Sequence, residues 1–358
     1  MQKRILILTL KIGGVITVAR VLKDYFEKKG VKVKICFFEE VVSQRLYSIL
    51  FKGWYLKPFP KKIRLWSFLY NNSGIYRVVY SLLYCISPKF TCPILREEII
   101  KFNPDELIAG SFLPSFFIRH AIKDLPIRCN LNAVISNFDF PKYWDKYLDN
   151  YFIPHEGLLE VGVQSKIARD KIFISGLPIN CDKITSGDLK TSILLVGGRL
   201  GIGIELDTIL LVLNNFKGNL IVVCGENVKL NLLLNKIRHP KLKILGNIDS
   251  NIISELYNTS ICVITKAGTL TLAEAAIRKV PIIINYFVEG HEKKNTEYLL
   301  KYDACFRGFN NNELLQSLKE IEGDSNICKI KVNNAYKLFN KSRNIDFSPV
   351  VERCGNVD

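Results

Sequence analysis

Between residues 260 and 295 a small set of side chains stands at intervals suited to holding an anion. Lys266 precedes Ala267-Gly268-Thr269, Thr271 and Glu274 follow, and Gly290-His291-Glu292 with Asn295 closes the segment. Glycine at 268 lets the main chain approach a phosphate, the N–H groups of a helix starting there face it, and Lys266 adds a point charge. Glu274, about one turn further on, is near enough to accept hydrogen bonds from a ribose whose pyrophosphate rests on the helix end. A diphosphonucleotide fits this arrangement. A second reading uses the same spacing: Thr271-Leu-Ala-Glu274 matches a capping box, in which Glu274 satisfies only an orphan backbone N–H.

The elements that must position these groups are legible from hydrophobic period. Ile261 to Thr265 is an apolar, partly β-branched run and predicts a buried parallel strand; Leu270, Ala273 and Ile277 then fall on one helical face. Val280 to Asn285 predicts a second strand, and a loop over 286–289 leads to a helix beginning near His291. Both helix starts then lie at the carboxyl ends of strands, where open α/β sheets bind ligands. Strands are also predicted at Ser192 to Gly197, Asn219 to Cys224 and Lys241 to Leu245, with helical segments between. The turn after the first of these, VGGRLGIG, carries Gly197, Gly198 and Arg199; it lacks the spacing of a dinucleotide fingerprint.

The chain begins with the same alternation: a strand Arg4 to Thr9, a turn at Gly13-Gly14, a helix Thr17 to Lys29 and a strand Val31 to Phe38. A polar stretch after Gly176-Leu177-Pro178 predicts a linker. The expected fold is α/β, two Rossmann-like βαβ domains facing across a cleft: 1–178, a linker at 179–191, 192–325, and a C-terminal helix and tail at 326–358.

Composition bounds the partners. The chain has 358 residues and a formal net charge of +16, which favours an anionic partner. Ten Lys or Arg against two acids between 41 and 101 hold half of that excess. In the same region Trp54, Tyr55 and Trp66 alternate with Lys61, Lys62 and Arg64. Amphipathic rings favour the lipid headgroup level, and bases favour anionic lipid, so an interfacial dock is one reading; buried aromatics with a solvated basic rim is the other. No nucleic-acid motif accompanies the basic stretch, and nucleic acid is not expected as a partner. Ten cysteines show no Cys-x-x-Cys pair or metal spacing, and no Asp-x-Asp occurs, so no metal and no tightly bound cofactor are expected. No run of 18 uncharged apolar residues and no cleavage site after the short N-terminal run predict a cytoplasmic protein.

The segment ITKAGTLTLAEAAIRKVPIIINYFVEGHEKKN resembles the donor-site signature of the monogalactosyldiacylglycerol synthase and processive diacylglycerol glucosyltransferase family, glycosyltransferase family 28, relatives of the peptidoglycan N-acetylglucosaminyltransferase. Lys266, Gly268, Thr271, Glu274, Gly290, Glu292 and Asn295 match it; Glu289 stands for a proline and His291 for a glutamine. The resemblance implies a GT-B architecture and a UDP-sugar bound by those residues with Thr269, Gly197 and Gly198. It also implies that 44–92 is the acceptor and membrane segment, making the protein peripheral on the inner face of the cell membrane.

The acceptor side departs from the family. Gly13 and Gly14 keep part of a Gly-Gly-Gly-His turn, with Val15 in the histidine's place; Ala109-Gly110-Ser111-Phe112 replaces Ser-Thr-His-Pro; Asn137 and Pro141 replace an aspartate and a histidine, while Ser136, Phe138 and Trp144 are kept. The resemblance implies inverting transfer of a hexosyl group from UDP-sugar to a lipid such as diacylglycerol, in glycolipid biosynthesis. The base on the acceptor hydroxyl is then a substitute, and Asp139, two places beyond the lost aspartate, is the candidate, ahead of Glu39 and Glu40. The alternative is a UDP-sugar-binding subunit without transfer activity.

Overall fold

The computed structural model describes residues 2–11, 13–50, 78, 81–139, 144–181, 184 and 190–352. Trp54, Tyr55, Lys61, Lys62, Arg64, Trp66 and Pro141 lie outside the described residues, as does part of the expected linker. The chain forms two units, Met1–Pro178 with Asn344–Asp358, and Ile179–Arg343.

In the first unit, β1 (Arg4–Thr9), β2 (Lys32–Phe37), β3 (Glu106–Ala109), β4 (Asn130–Val134), β5 (Asn150–Ile153) and β6 (Ile172–Ile174) form a parallel sheet of order β2-β1-β3-β4-β5-β6. Ile5, Leu6, Ile7 and Leu8 are fully buried, as expected of a strand covered on both faces. The helix Gly13–Glu27 buries Ile16, Val18, Ala19, Leu22 and Phe26 against the sheet. It begins four residues before the expected Thr17, because Gly13 takes φ +50 and lets the chain turn straight into the helix. Glu106 is buried at the opposite end of the sheet with its charge fully employed. It accepts from Asn130 at 3.0 Å and Asn132 at 2.8 Å and pairs with Lys3 at 3.1 Å, and Asn150 donates to Asn132 at 2.7 Å. A buried carboxylate held this way avoids the cost of an unpaired charge.

The second unit has β7 (Ser192–Val196), β8 (Asn219–Val223), β9 (Leu242–Leu245), β10 (Ser260–Lys266), β11 (Ile282–Tyr286) and β12 (Phe306–Arg307), again parallel, in the order β12-β11-β10-β7-β8-β9. Chain order runs one way from β7 to β9 and the other way from β10 to β12. The reversal lies between β7 and β10, and a ligand crevice is expected outside their carboxyl ends. In the first unit the corresponding reversal lies between β1 and β3.

The helix Asn326–Phe339 stays with the second unit, stacking Tyr336 under Lys279. The chain then returns to the first, where fully buried Phe347 meets Tyr25, Phe26 and Phe152 with ring centroids 4.8–6.0 Å apart. The Phe347 N–H donates to the Tyr25 hydroxyl at 3.3 Å and that of Asp346 to Ser175 O at 2.9 Å. Phe347→Ala should destabilise the first unit by about 3–5 kcal/mol, read from denaturant midpoints.

Candidate active site

The crevice predicted by strand order is where the sequence-selected residues collect. β10 ends at Lys266, Ala267 and Gly268 form the turn, and the helix Thr269–Ile277 follows with Gly268 as its N-cap. That cap settles the Thr271-to-Glu274 spacing: Thr271 lies three residues inside the helix, so no capping box forms there and Glu274 does not cap the helix. The first N–H groups of the helix lack intrahelical partners by geometry and carry the positive end of its dipole.

The glycine turn after β7 faces this helix start. A Cβ placed on Gly198, which has φ +64, would stand 3.1 Å from Lys266 Cε; one on Gly268 would stand 3.2 Å from Lys266 Nζ. Lys266 thus lies across both turns. Gly197 serves packing, since a Cβ there would meet the Gly201 backbone at 2.5 Å. Arg199 pairs with Glu226 at 2.8 Å at the surface.

A second helix, His291–Lys301, enters the same place from β11. Gly290 precedes it at φ +104, a conformation open to glycine. Buried Glu292 forms an ion pair with Lys266, and its other oxygen accepts from the Val288 N–H at 2.9 Å. Fully buried Asn295 donates to Ala267 O at 2.9 Å and to Thr269 Oγ1 at 3.0 Å. Glu292 and Asn295 are therefore more than first-turn decoration: they fix one helix start against the other. Burial holds the His291 imidazole below its usual pKa, against the opposing pull of Glu292 and with help from Lys266, so it is neutral at pH 7.

Thr271 and Glu274 turn toward a residue that the sequence did not single out. Tyr257, buried on the helix Ser250–Asn258, bonds through its hydroxyl to both side chains. Arg278 donates to Glu274 O at 3.0 Å and to Ser254 Oγ at 2.9 Å. Burial pushes the Glu274 carboxyl up to about 7, outweighing the Arg278 charge and the Tyr257 hydrogen bond, which both lower it. Tyr257 lies on the far side of β10 in sequence from the signature, so only the fold brings it near.

In the first unit, Gly13 and Gly14 open the helix that follows β1. The Glu39 carboxylate accepts from the Lys11 N–H at 3.0 and 3.1 Å, and Glu40 pairs with Lys11 Nζ at 2.8 Å. Both are committed to that loop, and Glu39 is raised by burial. Asp139 is half-buried just beyond β4. Its neighbour Phe138 packs on His155, a buried histidine at the end of β5, with centroids 5.0 Å apart. Burial pushes His155 down to about 4. Among the described residues no group of three His, Cys, Asp or Glu is placed to hold a metal, and no helix is long and apolar enough to cross a membrane.

The chain is 28% identical over 325 residues to a processive diacylglycerol β-glucosyltransferase of Bacillus cereus (strain AH187), covering 84% of this chain and 81% of that one. Against the enzyme of the same description from Bacillus cytotoxicus it is 26% identical over 349 residues, 92% of this chain and 88% of the other. The chain is a relative of the processive diacylglycerol β-glucosyltransferases. No family model matches it. Its fold is GT-B: MurG of Acinetobacter baumannii superposes with TM-score 0.56 at 15% identity over 94% of this chain and 95% of MurG, and the calicheamicin glycosyltransferase CalG4 with TM-score 0.61 at 11% identity over 98% and 97%. MnaA of S. aureus, solved with UDP, superposes with TM-score 0.58 at 14% identity over 95% and 94%.

The Glu274 environment has a measurable consequence. An unfolded glutamate ionises near pH 4.3 and the folded one near 7, so between those values the native state binds more protons and stability falls as pH rises. Glu274→Gln should flatten that part of the stability-against-pH curve, measured by urea denaturation from about pH 4.5 to 8.

Proposed function

We propose that this protein transfers a hexosyl group from a UDP-sugar to the hydroxyl of a lipid acceptor such as diacylglycerol at a membrane surface, with inversion at the anomeric carbon. The observation that carries the reading is the convergence of Lys266, the Thr269 helix start and the Gly198 turn at the point where the strand order of the second sheet reverses. Two phosphates placed there meet helix N–H groups and one cation, and as the bond from C1 to the UDP oxygen breaks, the same groups stabilise the charge on the departing diphosphate. Glu274, one turn along and bonded to Tyr257, would accept from ribose hydroxyls. Gly290 and His291 would face the sugar, with buried Glu292 and Asn295 holding that helix start in place from behind. The acceptor oxygen attacks C1 while its proton passes to a carboxylate, the role assigned to Asp139, with Gly13 and Gly14 beside the acceptor. The basic, ring-rich stretch around Trp54 and Trp66 supplies the lipid contact on the inner face of the membrane.

A second reading, a UDP-sugar-binding protein without transfer activity, is favoured by one sequence observation: Val15 and Asn137 stand where the resembled family has a histidine and an aspartate. Incubation with labelled UDP-glucose or UDP-galactose and diacylglycerol vesicles separates the two. Transfer requires a labelled glycolipid; nucleotide binding with no glycolipid would establish the second reading instead. Lys266→Ala removes one charge-assisted contact and should weaken UDP about tenfold to a hundredfold. Asp139→Asn should abolish product while leaving UDP affinity within about twofold, and full activity in that variant would remove Asp139 from its role.

A further inference from the structure

The second unit exposes an apolar face that the proposed chemistry does not use. The helix Val228–Leu234 follows β8 and is capped by Asn227, whose Oδ1 accepts from the Leu230 N–H at 3.0 Å. Leu234 is its buried anchor at 2% exposure, yet Val228, Leu232 and Leu233 are 67%, 64% and 60% exposed. Val228 and Leu232 are one turn apart, and so are Lys229 and Leu233 in the adjoining row, with Lys236 just past the helix end. Leu200, 54% exposed, joins them, because its carbonyl accepts from Asn227 Nδ2 at 3.4 Å and ties the glycine turn after β7 to the helix start.

The charge along this stretch of chain is mostly of one sign. From 227 to 248 the chain has Lys229, Lys236, Arg238, Lys241 and Lys243 and no acid. Lys229, Lys236, Arg238 and Lys243 are exposed and make no ion pair among the described residues. Of the acids at the two margins, Glu226 is already paired with Arg199 and Asp249 is exposed at the start of the next helix. A helix face meant for water would not expose Val228, Leu232 and Leu233 together. Protein-binding surfaces favour aromatic anchors and depleted lysine; here the apolar groups are aliphatic, on an outward-facing helix, amid unpaired lysines. That combination suits the boundary of an anionic bilayer, where aliphatic tips enter the acyl region and cations remain among headgroups.

We infer that Leu200 and the helix Val228–Leu234 form a lipid-contact surface on the second unit, separate from the ring-rich stretch of the first. The helix starts at the carboxyl edge of the second sheet, the edge that carries the Gly198 turn and Gly268, so a bilayer bound there would lie on the same side of the unit as those turns. The inference rests on surface chemistry alone and stands whether or not UDP is the ligand of the crevice.

Its test compares the full chain with L232E/L233E, a change at exposed positions, in co-sedimentation with vesicles of phosphatidylglycerol and of phosphatidylcholine. The wild type should prefer phosphatidylglycerol, and the variant should partition at least about tenfold more weakly, since two acyl contacts become two repelled charges. Leu232→Trp supplies a local signal: the emission of the introduced indole should shift to the blue on phosphatidylglycerol vesicles and be quenched by brominated acyl chains. Partitioning of L232E/L233E within about twofold of wild type, or an unshifted emission in the Leu232→Trp variant, overturns the inference, and glycolipid formation that persists in that case leaves the transfer reading intact. Sedimentation velocity covers the remaining occupant: an oligomer that L232E/L233E converts to monomers with unchanged lipid partitioning assigns the face to a second protein chain and also overturns it.

Discussion

The second unit depends on one buried amide. Asn295, on the helix after β11, donates both to the carbonyl of Ala267 and to the hydroxyl of Thr269, so the first residues of two successive crossover helices cannot move independently. Leaving those acceptors unsatisfied in the interior would cost about 1–3 kcal/mol. Because Lys266 also pairs with Glu292, its ammonium group is fixed between the two helix starts. Preorganised dipoles and charges incur no reorganisation cost when negative charge develops. The ion pair and the amide thus give the site its rigidity, and the glycines at 198 and 268 give it room.

Electrostatics around that frame divide the labour. Glu292 offsets the Lys266 charge before a ligand binds, which limits the cost of burying a lone ammonium. Burial holds the His291 imidazole below its usual pKa and so favours its neutral form. Glu274 is shared with Tyr257, and burial pushes its carboxyl up to about 7. The first unit is organised by a different device, a buried lattice of Glu106, Asn130, Asn132, Asn150 and Lys3 across three strands, which lies at the opposite end of the sheet from the β1 and β3 turns.

Much of this was legible in the sequence because the determinants are local. Continuous apolar runs such as Ile261 to Thr265 announce buried strands, and a glycine between strand and helix marks a ligand-facing turn. The pairing of Lys266 with Glu292 and the Asn295 bridge to Ala267 join residues 26 and 28 positions apart, and period alone cannot show them. The same holds for Tyr257, whose hydroxyl reaches Thr271 and Glu274 only after the strand between them has paired. The capping-box spacing was ambiguous because Gly268 and Thr271 both qualify as helix caps; burial of Thr269 against Asn295 decides for the earlier start. The acceptor side was least legible, since its residues depart from the resembled pattern and its aromatic stretch lies outside the described residues.

The central claim is that the two helix starts beside Lys266 hold a nucleoside diphosphate. Titration calorimetry with UDP, UMP and uridine against the full chain tests it without any assumption about sugar or acceptor. UDP should bind at least about tenfold more tightly than UMP, since the second phosphate gains a charge-assisted contact at the helix start, and uridine should bind weakest. Equal affinity for UDP and UMP, or no heat with either, would contradict the account.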